Sequence, residues 1–83
     1  MNVLSGMWHA IVTMVVNALQ EGGQAEMAQQ LLAADVDPSA LGYDECVVKE
    51  SDVTLLEQAA QAAPLEDLER EYVLDCIEGI KGA

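Results

Sequence analysis

The stretch NVLSGMWHAIVTMVVNALQE, residues 2–21, decides the fold class. Leu4, Met7, Trp8, Ile11, Val15 and Leu19 recur at steps of three and four, the period of an α-helix. At about 100° per residue these positions cover an apolar arc of roughly 200°. Asn2, Ser5, His9, Thr13, Asn17 and Gln20 fill the opposite side. That arc is wider than a surface helix needs. Such a helix is central in a bundle or shared with a second chain, and Val12 and Val16 at its margin add apolar surface that one thin bundle leaves uncovered. Leu4, Met7, Trp8, Ile11, Val15 and Leu19 are either intramolecular core or a dimer or partner-helix interface, and the expectation is a homodimer, an isologous contact between two copies of one face. Gly22-Gly23 ends the helix, since glycine supplies the left-handed position after a helix C-terminus.

Beyond it, the helical period returns three times. Residues 24–34 place Met27, Ala28, Leu31 and Leu32 on one side. From 53 to 62, Val53, Leu55, Leu56, Ala59 and Ala60 share a side, with Ser51 or Asp52 as N-cap. Pro64 opens a last helix, whose first turn carries Glu66 and Asp67 and whose end carries Lys81, both favoured by the helix dipole. Its apolar side reads Leu65, Leu68, Tyr72, Cys76, Ile77 and Ile80. Between the second and third helices, Asp37-Pro38-Ser39 starts a capped turn that Gly42 closes. Cys46-Val47-Val48 reads equally as a short extended piece or as the start of the next helix. The fold class is therefore all-α: a single domain over residues 1–83, a small bundle of about four short helices, complete in one chain or completed by homodimerisation.

Composition narrows the function. The chain has 83 residues, 15 acids and three bases, for a net charge of −12, yet 52% of it is hydrophobic. It is too apolar for a charge-driven disordered tail. It is too acidic to bind nucleic acid or an anionic membrane directly, because phosphate binding needs Lys and Arg. A domain of this length buries only about 60–65% of its unfolded surface, so self-association compensates where disulfides and metals do not. Cys46 and Cys76 are read as reduced thiols of a cytoplasmic protein rather than a disulfide framework. The uncharged N-terminal run lacks a basic n-region and is interrupted by polar residues at helical spacing, so it is neither a signal peptide nor a membrane span.

Catalytic, metal and cofactor patterns are weak. Asp35, Asp37 and Ser39 match the first, third and fifth positions of an EF-hand loop, but Ala40 and Cys46 stand where glycine and the bidentate glutamate belong. His9 is the only histidine, and no acid precedes Glu21 to complete a Ser-His-acid set on the first helix. No catalytic residue, metal or cofactor is expected, and a small hydrolase is a distant third reading.

The charge pattern of the last helix carries more. Asp67, Glu71, Asp75 and Glu78 follow at spacings of four, four and three, one acidic row on an arc of about 80°. Like charges at i,i+4 each cost about 0.2–0.5 kcal/mol in an isolated helix, and Glu66–Arg70 is the one opposing pair at that spacing. The row is either a solvated face or a docking surface. The reading is a small acidic, non-enzymatic interaction protein that binds and regulates or inhibits a protein partner through helix surfaces. The alternative is a nucleic-acid mimic of the phage-inhibitor type, whose acids block the DNA- or RNA-binding site of a basic protein. Before Asp35 the only acids are Glu21 and Glu26, and all three bases, Lys49, Arg70 and Lys81, come after it with the other acids. The expected layout is an apolar N-terminal scaffold and a negative C-terminal surface.

Overall fold

The computed structural model describes residues 1–37 and 44–82. In chain order these form strand β1 (Asn2–Leu4), helix α1 (Ser5–Glu21), helix α2 (Ala25–Leu32), strand β2 (Glu45–Val47), helix α3 (Glu50–Ala62) and helix α4 (Asp67–Gly82). The fold is a small all-α bundle with a two-stranded ribbon at its side. The turn expected at Asp37-Pro38-Ser39, with Gly42, falls largely outside the described residues.

The ribbon corrects the sequence reading at both of its ends. Residues 2–4 are strand, not the first turn of α1. They pair antiparallel with β2 in the register Asn2–Val47, Val3–Cys46 and Leu4–Glu45. The ladder extends beyond the strands, where the Ser5 amide donates to the Asp44 carbonyl (2.9 Å) and the Val48 amide to that of Met1 (2.8 Å). This settles Cys46-Val47-Val48 as extended. The partner strand comes from beyond α1 and α2, so a local helical period cannot reveal it. Backbone pairing satisfies groups that a frayed helix end leaves open.

Helix α1 is the centre of the molecule. It packs on α2, α3 and β1, while α4 closes over α3. The wide apolar arc is filled from within one chain: Trp8, Ile11, Val12, Val15 and Leu19 have no exposed surface, and Val16 almost none. Ala28 and Leu31 from α2, Val53 and Leu56 from α3, and Val73 and Ile77 from α4 meet them in one cluster. Four of the six residues expected at a dimer or partner-helix interface are thus already buried within one chain. Trp8, Ile11, Val15 and Leu19 form interior, Met7 is half-buried at its edge, and only Leu4 stays exposed. Val12 and Val16 leave no uncovered surface. Ser5, placed on the polar side, is also fully buried.

The helix ends follow their sequence signals in part. Gly23 has φ +77°, its amide bonds the Gln20 carbonyl, and the Gln24 amide reaches Leu19 (2.8 Å). That is the Schellman pattern of bonds, which requires a residue in the left-handed region. Helix α3 begins after Lys49, whose carbonyl accepts from the Asp52 and Val53 amides, so Ser51 and Asp52 lie inside it rather than capping it. At the α3–α4 corner, Arg70 Nε and Nη2 donate to the Ala60 (3.2 Å) and Ala63 (2.7 Å) carbonyls. The carboxylate within ion-pair reach of Arg70 is Asp67 (3.8 Å), not Glu66.

Candidate partner-binding surface

Helix α4 positions the candidate site. Its core side is Val73, Ile77 and Ile80. The sequence pattern places Leu68 and Tyr72 on that side. They face solvent instead, 80% and 51% exposed. The reason is angular. At about 100° per residue, the expected apolar set spans roughly 180° of the helix, and α3 covers only the part centred on Val73 and Ile77. Leu65 stays buried in the connection before α4, and Cys76 is half-buried.

The outer face therefore has two lanes. Asp67, Glu71, Asp75 and Glu78 are all exposed and form the acidic lane. Leu68 and Tyr72 lie beside them, followed by Gly79 and then Cys76 on the side toward the ribbon. Asn2, Val3, Leu4 and Met7 from the N-terminal part and Glu45 from β2, with Cys76, Gly79 and Ile80 from α4, line an open groove of about 280 Å³. Small-molecule sites run from about 300 to 1,000 Å³ and bury most of their ligand, so this groove suits a side chain or two. A second shallow depression, lined by Asp67, Arg70, Glu71, Leu74 and Asp75, runs along the acidic lane. Tyr72 and Cys76, one turn apart, interact. The Cys76 charge opposes ionisation of the phenol, their hydrogen bond favours its neutral form, and partial desolvation adds to both, so Tyr72 titrates above the usual 10.0. At the far end of α4, Lys81 Nζ donates to Glu57 Oε2 (2.7 Å) on α3, and that bond holds the ammonium charged above its ordinary range.

The chain matches no family model, no curated protein and no solved structure. What this chain does has to be read from its own surface.

A second polar constellation sits on α1. Asp35 follows α2 and brings both carboxylate oxygens to His9 Nδ1, at 3.0 and 3.1 Å. Thr13 Oγ1 lies 3.4 Å from His9 Nε2, and Asp35 Oδ1 accepts from the Val36 amide (2.8 Å). Tertiary structure thus supplies the acid that the first helix lacks ahead of Glu21. Beside this cluster, Trp8 Nε1 donates to the Ala34 carbonyl (2.9 Å). The two contacts together fasten the segment after α2 to α1. Asp35, first residue of the calcium-like run, is engaged with His9. Cys46 and Cys76 are both free thiols, half-buried. Among the described residues, no helix is long and apolar enough to cross a membrane.

Proposed function

We propose that this chain is a non-catalytic binding protein that acts stoichiometrically on another protein through the outer face of α4. One observation carries the reading. Helix α4 aligns four exposed carboxylates beside exposed Leu68 and Tyr72, on a face that no other described element covers. Neither lane packs into the core. The acids repel one another along the helix, and the cation Arg70 reaches only Asp67 among them (3.8 Å), while its Nε and Nη2 donate to the Ala60 and Ala63 carbonyls. A free Leu costs solubility rather than stability. A binding role uses both.

The nucleic-acid-mimic reading has the acidic lane in its favour. Each step of four residues from Asp67 to Asp75 rises about 6 Å, so the row sets out repeated negative charges as a phosphate backbone does. The exposed Leu68 and Tyr72 favour the protein-docking form over simple mimicry, because a phosphate-binding surface offers them no apolar contact.

The test is a comparison of partners retained from source cells by the wild-type chain and by Asp67→Asn/Glu71→Gln/Asp75→Asn/Glu78→Gln. Loss of a specific partner, with unchanged circular dichroism, is the expected result. Retention of every partner at equal strength both by the neutralised variant and by Leu68→Ser/Tyr72→Ser removes α4 as the binding face. A binding constant that falls steeply with salt favours mimicry, whereas a shallow dependence favours apolar docking.

A further inference from the structure

We propose that the outer face of α4, together with the groove beside the β1–β2 ribbon, receives a helix of another protein whose apolar strip is bordered by Lys and Arg. This inference rests on the reading of α4 as the binding face and specifies what fills it. Leu68, Tyr72 and Gly79 lie within about 40° of one another around α4, and Cys76 about 40° further toward the groove. From residue 68 to residue 79 this lane runs about 16 Å, three helical turns. That length suits a partner helix presenting anchors at i, i+4 and i+7. Gly79 has no neighbour within 4 Å of where a Cβ would stand, so a partner side chain can approach the helix backbone there. Met7 and Ile80 wall the groove next to it and supply an apolar seat. The acidic lane flanks this apolar lane on the other side, where it meets cations at the margin of an incoming helix.

Charge decides between occupants. A second copy would bring an identical acidic lane to the contact. Its cations are already engaged within the chain: Arg70 with the Ala60 and Ala63 carbonyls and with Asp67 (3.8 Å), and Lys81 with Glu57. The remaining base, Lys49, is a single charge at the start of α3. A phosphate polymer or an anionic membrane is repelled by a chain of net charge −12. An uncharged apolar helix leaves the acidic lane unmet. A cationic amphipathic helix satisfies both lanes at once.

The experiment uses the full chain and two synthetic peptides of about 18 residues, long enough to form a helix in isolation. One places leucines at i, i+4 and i+7 repeats with lysines elsewhere. The other has the same composition in an order that cannot segregate its leucines. Binding is read by fluorescence anisotropy at moderate and high salt, and the site by amide shifts of α4. The segregated peptide is expected to bind at least tenfold tighter, with the preference surviving high salt. Leu68→Ser/Tyr72→Ser is expected to abolish the preference while leaving thermal unfolding unchanged, because both side chains are exposed. Equal affinity for the two peptides overturns the inference, as does a preference that survives Leu68→Ser/Tyr72→Ser. So does a chain that sediments as a dimer and becomes monomeric in that variant, since the occupant is then a second copy. The two levels separate cleanly. If neutralising the acidic lane abolishes equal binding of both peptides, α4 stays the binding face and only the amphipathic helix falls. If neither lane matters, both fall.

Discussion

Replacing Trp8 by phenylalanine tests where the first helix spends its apolar side. Trp8 has no exposed surface, and its indole nitrogen donates to the Ala34 carbonyl at 2.9 Å. Phenylalanine keeps one ring and loses the donor. Losing that hydrogen bond costs about 1 kcal/mol, and the half-buried carbonyl it leaves is partly rehydrated. The vacated part of the indole adds about 1–2 kcal/mol, below the 3–5 kcal/mol of a full truncation to alanine. The sum is about 2–3 kcal/mol. A chain of 83 residues has about 4–12 kcal/mol to lose, so the variant folds but is clearly weakened. The corresponding fall in Tm is about 10–20 °C. The assay is urea unfolding followed by far-UV circular dichroism at several protein concentrations, since the fluorophore is gone. A lower midpoint with unchanged slope is expected, independent of concentration. A loss below about 0.5 kcal/mol, less than one net hydrogen bond, refutes the buried and bonded indole. A loss that grows on dilution refutes the intramolecular core, because it places Trp8 at a contact between chains.

Four further outcomes are expected. Ser5→Ala is neutral or stabilising by up to about 1 kcal/mol in thermal unfolding, because its buried hydroxyl has no hydrogen-bond partner among the described residues. Gly23→Ala costs about 1–2 kcal/mol from backbone strain alone at φ +77°. Arg70→Ala loses about 1–2 kcal/mol in denaturant unfolding by opening the α3–α4 corner, and Arg70→Lys fails to restore it, since one ammonium does not reproduce the two directed guanidinium bonds. In a Tyr43→Phe background, ultraviolet titration of Tyr72 gives a midpoint above 10.0, and Cys76→Ala brings it back toward that value by removing both the opposing charge and the hydrogen bond.

The helices are legible in the sequence because their signals are local. The three-four recurrence from Met7 to Leu19 marks α1, Gly23 takes the left-handed angle its position demands, and Lys81 sits in the last turn of α4. The β1–β2 ribbon is not legible, since such short strands carry too little pattern and α1 and α2 separate one from the other in the chain. The cap of α3 differs from its sequence signal for a related reason. Ser51 and Asp52 are good caps, but the chain arriving from β2 is already extended at Lys49, so the helix starts there. The acidic row of α4 is legible as a row, because one helix suffices to define it. The apolar lane beside it is not, because Leu68 and Tyr72 look like core residues in any helical projection.

Sequence alone determined the helical class, the concentration of charge after residue 34 and the alignment of Asp67, Glu71, Asp75 and Glu78. Each depends on close neighbours in the chain or on simple counting. Tertiary structure decided which apolar residues are sealed and which are shown. Trp8, Ile11, Val15 and Leu19, expected at an interface, became the interior of one chain, while Leu68 and Tyr72, expected inside, became its surface. Periodicity tells which residues share a face of a helix. Burial depends on what packs against that face, and α2, α3 and α4 come from elsewhere in the chain.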